Sequence, residues 1–279
     1  MSMEQVRGAI ELMRPGNAVA AGGLTFIGAF VAGGLSEPLL ASFAVLATIL
    51  ATGGGNAIND YFDRDIDAIN QPDRPIPRGA IPARTALWFS AALFAIAVGL
   101  TLLLPPLAIA IAIVNLLALI AYTELFKGLP GVGNLLVAYL TGSTFLYGGA
   151  AVSGDLWTVL ILFVLAASAT VAREIGKDVE DIEGDKKEGL RTLPIAVGVR
   201  NALVIAAVFI AFAVIVSPAP YLLGTFGSAY LLMLVPTVIG LVAGMYRSFT
   251  DPTTGQIWLK GSMFAAAFAF VAGRVAVVL

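Results

Sequence analysis

Apolar segments about 20 residues long recur along the chain, and this recurrence limits the possible folds more than any other feature. Such a segment, coiled as a helix, is long enough to cross a hydrocarbon core of roughly 30 Å. With 59% apolar and 12% charged residues among 279, the chain lies far outside the range of soluble globular proteins. We therefore predict a membrane protein with nine transmembrane helices, at residues 16–34, 38–59, 84–104, 106–124, 131–151, 156–175, 199–217, 221–245 and 257–277.

Charged residues lie almost entirely on one side of the membrane when the chain is threaded through nine spans. Of the 16 Lys and Arg residues and the 18 acids, only Arg274, Glu37 and Asp155 fall on the other side. The positive-inside rule assigns the charged side to the cytoplasm. We therefore expect a multi-pass protein of the cell membrane whose N-terminus and longest loops are cytoplasmic. Residues 1–14 are predicted to form a short interfacial helix.

The chain contains neither cysteine nor histidine. The lack of cysteine excludes disulfides, thiolate nucleophiles and cysteine-ligated metal centres. The lack of histidine excludes a Ser-His-Asp triad and removes the commonest general base. Any catalysis must therefore depend on carboxylates, amides, hydroxyls, Lys, Arg or a bound metal.

One acidic pattern occurs twice, each time where a predicted span enters a long cytoplasmic loop. The first triad is Asp60, Asp63 and Asp67, and the second triad is Asp178, Asp181 and Asp185. Because both triads have the offsets 0, 3 and 7, each places its side chains within roughly 60° on one face of a helix. A basic segment with proline follows each triad. This order indicates an internal duplication, with halves of about 1–125 and 126–279, inside a single membrane-embedded domain that spans 1–279.

Carboxylates that share one helical face repel one another unless a cation lies between them. Mg²⁺ prefers oxygen ligands and is commonly held by one or two carboxylates together with substrate phosphates. We therefore predict that the two triads hold Mg²⁺ and clamp a diphosphate, whose developing negative charge the metal neutralises. The alternative is a pair of solvated acidic loops balanced by neighbouring Lys and Arg side chains.

Polar and basic residues beside the triads are candidates for binding the substrate. They are Asn17, Asn56, Arg74, Tyr122, Lys127 and Lys177. Asn56 and its neighbour Asn59 extend the face of the first triad, where an amide can bind metal or a phosphate oxygen. The basic candidates have an alternative role in setting topology or binding lipid headgroups, and Tyr122 has one as an interfacial aromatic.

The two motifs resemble the signatures of a known family, the UbiA-type intramembrane prenyltransferases. Asn59-Asp60-x-x-Asp63-x-x-x-Asp67 is similar to the first signature. Asp178-x-x-Asp181-x-x-x-Asp185, followed by Gly189 and Thr192-Leu193-Pro194, is similar to the second. The resemblance implies an all-α membrane fold around a central cavity, with cytoplasmic cap loops after helices 2 and 6. It also implies Mg²⁺ and the transfer of a prenyl group from its diphosphate to a lipophilic acceptor.

Residue roles follow from the same resemblance. Positions that bind Mg²⁺–diphosphate match Asn59, Asp60, Asp63, Asp181 and Asp185, and the four aspartates among them are the expected catalytic residues. Asp67 and Asp178 match the outer metal positions, and Lys127 matches a basic position near the diphosphate. The second motif departs from the spacing Asp-x-x-x-Asp-x-x-x-Asp, because Lys177 stands at its first acidic position. This departure implies that Lys177 contacts phosphate and not metal.

Within the family, three segments are most similar to archaeal members that act on membrane lipids: residues 11–17, 70–77 and 177–185. Those members join a geranylgeranyl group, through an ether bond, to geranylgeranylglyceryl phosphate. The expected partners are a polyprenyl diphosphate donor, a lipophilic acceptor and membrane lipid, with no nucleic acid. One alternative is prenyl transfer to an aromatic acceptor, 4-hydroxybenzoate or dihydroxynaphthoate, in quinone synthesis. A cation-coupled transporter is the alternative from another class, and it requires ionisable residues near the bilayer midplane.

Overall fold

The computed structural model describes residues 3–33, 36–126, 128–187 and 189–278, without the side chains of Ile66, Thr123 and Glu124. Helices and turns make up these ranges, which contain no strand. The helices are α1 (Met3–Leu12), α2 (Pro15–Ala32), α3 (Pro38–Phe62), α4 (Arg64–Asn70), α5 (Ala83–Thr101), α6 (Pro106–Ala121), α7 (Val132–Ala151), α8 (Leu156–Glu180), α9 (Ile182–Lys187), α10 (Leu193–Val197), α11 (Val199–Val216), α12 (Ala219–Leu222), α13 (Ser228–Ser248) and α14 (Pro252–Val278). A π-helical turn, Tyr122–Phe126, continues α6.

Seven segments among the described residues are long and apolar enough to cross a membrane. They are α2, α3, α5, α8, α13, α14 and the segment Val199–Leu222, which joins α11 to α12. α6 is a shorter apolar helix of 16 residues, and α7 has 20 residues but includes several amide, hydroxyl and glycine positions. The prediction of a helical membrane protein therefore agrees with the structure, and the count of nine spans stays a prediction.

The main core joins residues of seven helices, which are α2, α3, α7, α8, α11, α13 and α14, and it includes several aromatic side chains. Phe145 of α7, Tyr230 of α13 and Phe270 of α14 are buried together. The ring centres of Phe145 and Tyr230 lie 6.1 and 6.2 Å, respectively, from that of Phe270. α2 joins this core by backbone contact with α7: a Cβ added at Gly28 lies 2.2 Å from the Phe145 carbonyl oxygen. A Cβ added at Gly148 lies 2.0 Å from a carbonyl oxygen of α2. Small residues thus bring these two helices together, as expected for membrane helices.

The N-terminal helix α1 is attached to the end of α3 that carries the first triad. Leu12 is fully buried in a small core with Ala57 and Ile81, while Val6 and Ile10 are exposed. The side-chain amide of Asn56 donates a hydrogen bond to the Met13 carbonyl oxygen at 2.9 Å. These contacts position the turn between α1 and α2 beside the first triad.

Candidate active site

The first triad lies where α3 ends and α4 begins. Asp60 is in the last turn of α3, Asp63 separates the two helices, and Asp67 is in α4. The backbone N–H of Asp63 donates to the backbone carbonyl oxygen of Asn59 at 2.8 Å. The backbone N–H of Asp67 donates to the backbone carbonyl oxygen of Asp63, also at 2.8 Å. These are i to i−4 hydrogen bonds, so helical spacing continues through the break and the predicted helical face is present locally.

Two arginines neutralise the buried carboxylates of the first triad. Arg14 Nη2 donates to Asp60 Oδ1 at 2.6 Å, and Arg74 Nη1 donates to the same oxygen at 3.3 Å. Arg74 Nη1 also bonds to Asp67 Oδ2 at 2.5 Å. Asp60 is only 3% exposed, and a carboxylate buried to that extent requires a positively charged partner. The cation that the sequence requires between these carboxylates is thus supplied here by guanidinium groups.

The second triad lies where α8 ends and α9 begins, and neutral donors contact it. Asp178 is in the last turns of α8, Asp181 follows the helix, and Asp185 is in α9. Asn134 Nδ2 donates to Asp178 Oδ2 at 2.8 Å, and Thr192 Oγ1 donates to Asp185 Oδ2 at 3.0 Å. The second triad therefore differs from the first, whose partners are arginines.

Charges near Asp181 favour a bound cation. Burial raises the pKa of Asp181, and the negative charges of Asp185 and Glu180 raise it further, whereas Lys177 lowers it. A carboxylate whose pKa is raised by burial and by like charges gains stability when a cation arrives. Lys177 itself is exposed near this carboxylate, and its contact with phosphate stays a prediction.

Tyr122 lies beside the second triad, on the π-helical turn after α6. The negative charges of Glu174, Asp178 and Asp185 act electrostatically on its phenol group, which places the four side chains in one neighbourhood. The first turn of α7 approaches its ring, since a Cβ added at Gly133 lies 3.4 Å from a ring carbon of Tyr122. The structure thus places this predicted substrate residue near the second triad.

The remaining predicted site residues have varied surroundings. Asn17 and Asn59 are exposed, and Asn56 is half-buried with its amide nitrogen bound to the Met13 backbone. Lys127 lies outside the described residues. The roles of these four residues stay predictions.

The two triads do not form one cluster of carboxylates. Within the part of the chain that the structure describes, no group of three or more Asp or Glu side chains is close enough to hold a metal ion. The donors nevertheless suit Mg²⁺, because each triad offers carboxylate oxygens and the metal commonly takes only one or two of them, completing its shell with water and phosphate. Joint binding of one diphosphate by both triads therefore stays a proposal.

A polar cleft of about 470 Å³ opens next to the first triad. Its walls are Glu11, residues 70–75 and Arg78. Arg74 lines this cleft and also contacts Asp60 and Asp67, so it connects the cleft with the buried carboxylates. A second, apolar cleft of about 410 Å³ lies between α11 and α13, lined mainly by Ala, Ile and Val side chains.

Two residues of this site were not identified from the sequence. Arg14 pairs with Asp60 across 46 positions, and Asn134 bonds to Asp178 across 44 positions. Neither pairing has a local signal in the sequence, because a single Arg or Asn does not show which distant carboxylate it meets. Thr192, which bonds to Asp185, belongs to the segment that follows the second motif.

An all-helical membrane fold with an acidic triad at the end of each of two long helices is the arrangement of an intramembrane prenyltransferase. Residues 21–269 match the UbiA prenyltransferase family, and the chain belongs to that family. It is therefore a multi-pass membrane enzyme that transfers prenyl groups.

Relatives with high identity carry a more specific name. A protein of Natronomonas pharaonis named digeranylgeranylglyceryl phosphate synthase is 74% identical over 276 residues, which cover 99% of this chain and 100% of that protein. A protein of the same name from Haloquadratum walsbyi is 58% identical, over 98% of this chain and 96% of its own.

Solved structures support the same fold. One reported for digeranylgeranylglyceryl phosphate synthase in membranes is 36% identical, with a TM-score of 0.83 over 99% of this chain and 100% of its own. A UbiA homologue from Archaeoglobus fulgidus bound to GPP and Mg²⁺ has a TM-score of 0.69 over 98% of this chain and 100% of its own. At 20% identity, that second likeness shows the fold alone.

Proposed function

We propose that this prenyltransferase joins a geranylgeranyl group, taken from its diphosphate, to geranylgeranylglyceryl phosphate, as in the synthesis of archaeal membrane lipids. The observation that carries the proposal is the 74% identity, over 99% of the chain, to a protein named digeranylgeranylglyceryl phosphate synthase. Family membership defines prenyl transfer but leaves the acceptor open. Identity this high, along the whole length, favours the lipid acceptor over 4-hydroxybenzoate or dihydroxynaphthoate.

In this proposal both triads hold Mg²⁺ together with the donor diphosphate. The metal ligands are Asn59, Asp60, Asp63, Asp67, Asp178, Asp181 and Asp185. When bound, Mg²⁺ supplies positive charge that neutralises the diphosphate as a leaving group. Arg14 and Arg74 occupy Asp60 Oδ1 in this structure, so Mg²⁺ binding at Asp60 requires at least one of them to turn away from that oxygen.

Basic and polar side chains of the chain orient the diphosphate in this scheme. Arg74 already has its guanidinium between Asp60, Asp67 and the polar cleft, so small side-chain rotations direct its N–H groups to phosphate oxygens. Lys177 and Tyr122 serve the second triad in the same way, with Lys127, Asn17 and Asn56 as further contacts. The apolar helices hold the prenyl chain and exclude water, which would otherwise capture the allylic cation.

The proposed topology has nine membrane spans around a central cavity. α6 and α7 supply the two spans beyond the seven segments that meet the length and hydropathy requirements. Cap loops after the second and sixth spans carry the triads, and the positive-inside rule places them in the cytoplasm. The donor diphosphate then enters at the inner membrane surface, and its tail lies among the helices.

A product assay with purified protein tests the function. The protein is incubated with labelled geranylgeranyl diphosphate, Mg²⁺ and one acceptor at a time: geranylgeranylglyceryl phosphate, 4-hydroxybenzoate or 1,4-dihydroxy-2-naphthoate. We expect an ether product only with the lipid acceptor, identified by its mass. A prenylated aromatic product reassigns the acceptor, and the absence of any product contradicts the proposal.

The same assay tests the triads. Asp63→Ala and Asp181→Ala should each reduce ether formation at least ~100-fold, because each removes an anionic ligand of Mg²⁺–diphosphate. Chelation of divalent cations should cause a similar loss. Asp65→Ala is the matched control, since Asp65 lies between two triad residues in sequence but its side chain is 86% exposed. Full activity in both triad variants rules out the clamp.

A further inference from the structure

A stripe of polar residues on α8 continues from the second triad into the membrane-spanning part of the helix. Thr170, Glu174 and Asp178 follow at intervals of four, which keeps them within roughly 80° around the helix. Glu174 lies one turn, about 6 Å, deeper than Asp178. Ala172 and Ile175 lie roughly 100° or more away from Glu174 and pack into a separate apolar core. Val171 of that core lies about 20° around the helix from Asp178 and about 60° from Glu174, so the stripe borders the core-facing side of α8.

Two buried polar atoms in this part of α8, one on the stripe and one beside it, lack partners among the described residues. Thr170 is 3% exposed, and its hydroxyl makes no hydrogen bond there. The Nε atom of Arg173 is buried and also without a partner in that part of the chain. Buried polar groups in folded proteins are nearly always hydrogen-bonded, so atoms left unpaired indicate a missing polar ligand. Their depth, one to two turns below Asp178, places that ligand inside the membrane.

Glu174 is the ionisable group at this depth. Its side chain is 15% exposed, and its Oε1 accepts a hydrogen bond from Arg173 Nη1 at 2.8 Å. Among the described residues, Oε2 receives no hydrogen bond, so Arg173 fixes the carboxylate and leaves one oxygen free. Glu174 also acts electrostatically on Tyr122, together with Asp178 and Asp185, which places it in the neighbourhood of the second triad.

These positions fit the requirements of the acceptor and not of the diphosphate. A donor whose diphosphate is held at Asp178 and Asp181 directs its C1 carbon away from the cytoplasm, toward the level of Glu174. The acceptor hydroxyl, which is the nucleophile, must therefore meet C1 at the depth of Glu174. An alcohol acceptor must also lose a proton, and the chain has no histidine to receive it.

We propose that Glu174 binds the acceptor hydroxyl and receives its proton during ether formation, and that Arg173 is a positioning residue for Glu174. The inference rests on the proposed function. In this step the C1–O bond of the donor breaks, and its electron pair leaves with the diphosphate. A lone pair of the acceptor oxygen forms the new C–O bond, and the hydroxyl proton moves to Oε2 of Glu174. The carboxylic acid returns that proton to water after the product leaves.

The test compares Glu174→Gln with wild type in three assays on the purified full-length protein. The assays are binding of geranylgeranyl diphosphate with Mg²⁺, pyrophosphate release without acceptor, and ether formation with geranylgeranylglyceryl phosphate. We expect donor binding and acceptor-independent pyrophosphate release within about twofold of wild type. Ether formation should fall ~100-fold or more, as for loss of a general base, and the loss should be mainly in kcat because Gln can still hydrogen-bond the acceptor hydroxyl. Glu174→Asp, which keeps a carboxylate, should recover at least tenfold over Gln.

An acceptor analogue separates proton transfer from a structural role. A thiol in place of the reacting hydroxyl loses its proton far more easily, so the penalty of Glu174→Gln should shrink at least tenfold with this analogue. Glu183→Gln is the control, because Glu183 is an exposed acid of α9 to which no role in binding the donor or the acceptor is assigned. It should stay within about twofold in all assays.

Each contrary result has a definite meaning. Wild-type ether formation in Glu174→Gln overturns the role of Glu174 while the proposed function stands. A parallel loss of donor binding and ether formation also overturns it, because Glu174 then acts on the donor or on folding. An equal penalty with alcohol and thiol overturns the proton-transfer step. Failure of wild type to form any ether defeats the proposed function itself, and this inference with it.

Discussion

Asp60 is a nearly buried carboxylate whose charge is balanced by two arginines from different parts of the chain. Arg14 makes the shorter contact, from a turn where its backbone is left-handed with φ of 48°. Left-handed backbone is uncommon outside glycine and persists where surrounding contacts hold it. The pairing therefore fixes both the charge of Asp60 and the path of the chain between α1 and α2.

Removal of Arg14 should destabilise the protein through Asp60. Arg14→Ala leaves the carboxylate with only Arg74, at 3.3 Å. We expect a loss of about 1–2 kcal/mol, less than for a fully buried pair because the Arg14 side chain is 39% exposed. The measurement is thermal unfolding in detergent of Arg14→Ala, Asp60→Asn and the double variant. If the ion pair is the cause, the double variant loses less than the sum of the two single changes.

Arg84→Ala is the control for that cycle. Arg84 is an exposed arginine at the start of α5, and its removal should change stability by no more than about 0.5 kcal/mol. Strict additivity in the cycle means that Arg14 does not act through Asp60.

Residue-level contacts divide into those that local sequence predicts and those that it does not. The helical face of Asp60, Asp63 and Asp67 follows from spacing alone, and hydrogen bonds through the helix break confirm it. The partners Arg14 and Asn134 do not follow, because each meets its carboxylate only after distant helices have packed. Spacing therefore predicts which side chains share a surface, and tertiary packing decides what neutralises them.

At the scale of elements, contact between α2 and α7 depends on glycine. Gly28→Ala places a Cβ 2.2 Å from the Phe145 carbonyl oxygen, and backbone cannot move aside as a flexible side chain can. We expect a loss of about 2–3 kcal/mol, at the upper end of the range for overpacking. The measurement is thermal unfolding of the purified protein in detergent.

Gly23→Ala provides the matched control on the same helix. A Cβ at Gly23 meets no heavy atom within 4 Å, so the variant should be neutral or up to about 1 kcal/mol more stable from improved helix propensity. Equal destabilisation by both changes means that an added methyl group anywhere on α2 costs stability and that the α2–α7 contact is not the specific cause.

Helix positions were more predictable than helix partners. The predicted spans 106–124 and 156–175 correspond to α6 and α8, because runs of apolar residues mark the middle of a membrane helix well. The ends are less certain: α8 continues to Glu180, since its polar last turns carry Lys177 and Asp178 beyond the apolar run. The last turns of α8, which hydropathy does not identify as part of the helix, are therefore the turns that contribute to the site.

For the whole molecule, the same element occurs at two places: a long helix, an acidic residue beyond its end and a short acidic helix. α3 with α4 and α8 with α9 both follow this plan, and the internal duplication of the chain stays a prediction. The two copies differ in their partners, with arginines at the first and an amide and a hydroxyl at the second. This asymmetry suits one substrate held by two unequal sites.

Membrane topology can be tested with single cysteines, because the natural chain has none. Leu103→Cys and Trp157→Cys should react with a membrane-impermeant maleimide on intact cells. Leu129→Cys and Glu183→Cys should react only after the membrane is opened. These expectations follow from nine spans with both triads in the cytoplasm. The four positions are exposed in the structure, so access depends on membrane side and not on burial.

The labelling pattern also decides whether α6 and α7 cross the membrane. Leu103, Leu129 and Trp157 are separated by these two helices alone, so they share one side if neither helix crosses. In that case the chain has only the seven spans that length and hydropathy identify. Because α7 supplies Asn134 to the second triad, a non-crossing α7 requires a different depth for that site. If the labels at Leu103, Leu129 and Trp157 report the outside, the inside and the outside in that order, α7 crosses the bilayer. Asp178 then lies at the inner surface, where a diphosphate headgroup arrives from the cytoplasm.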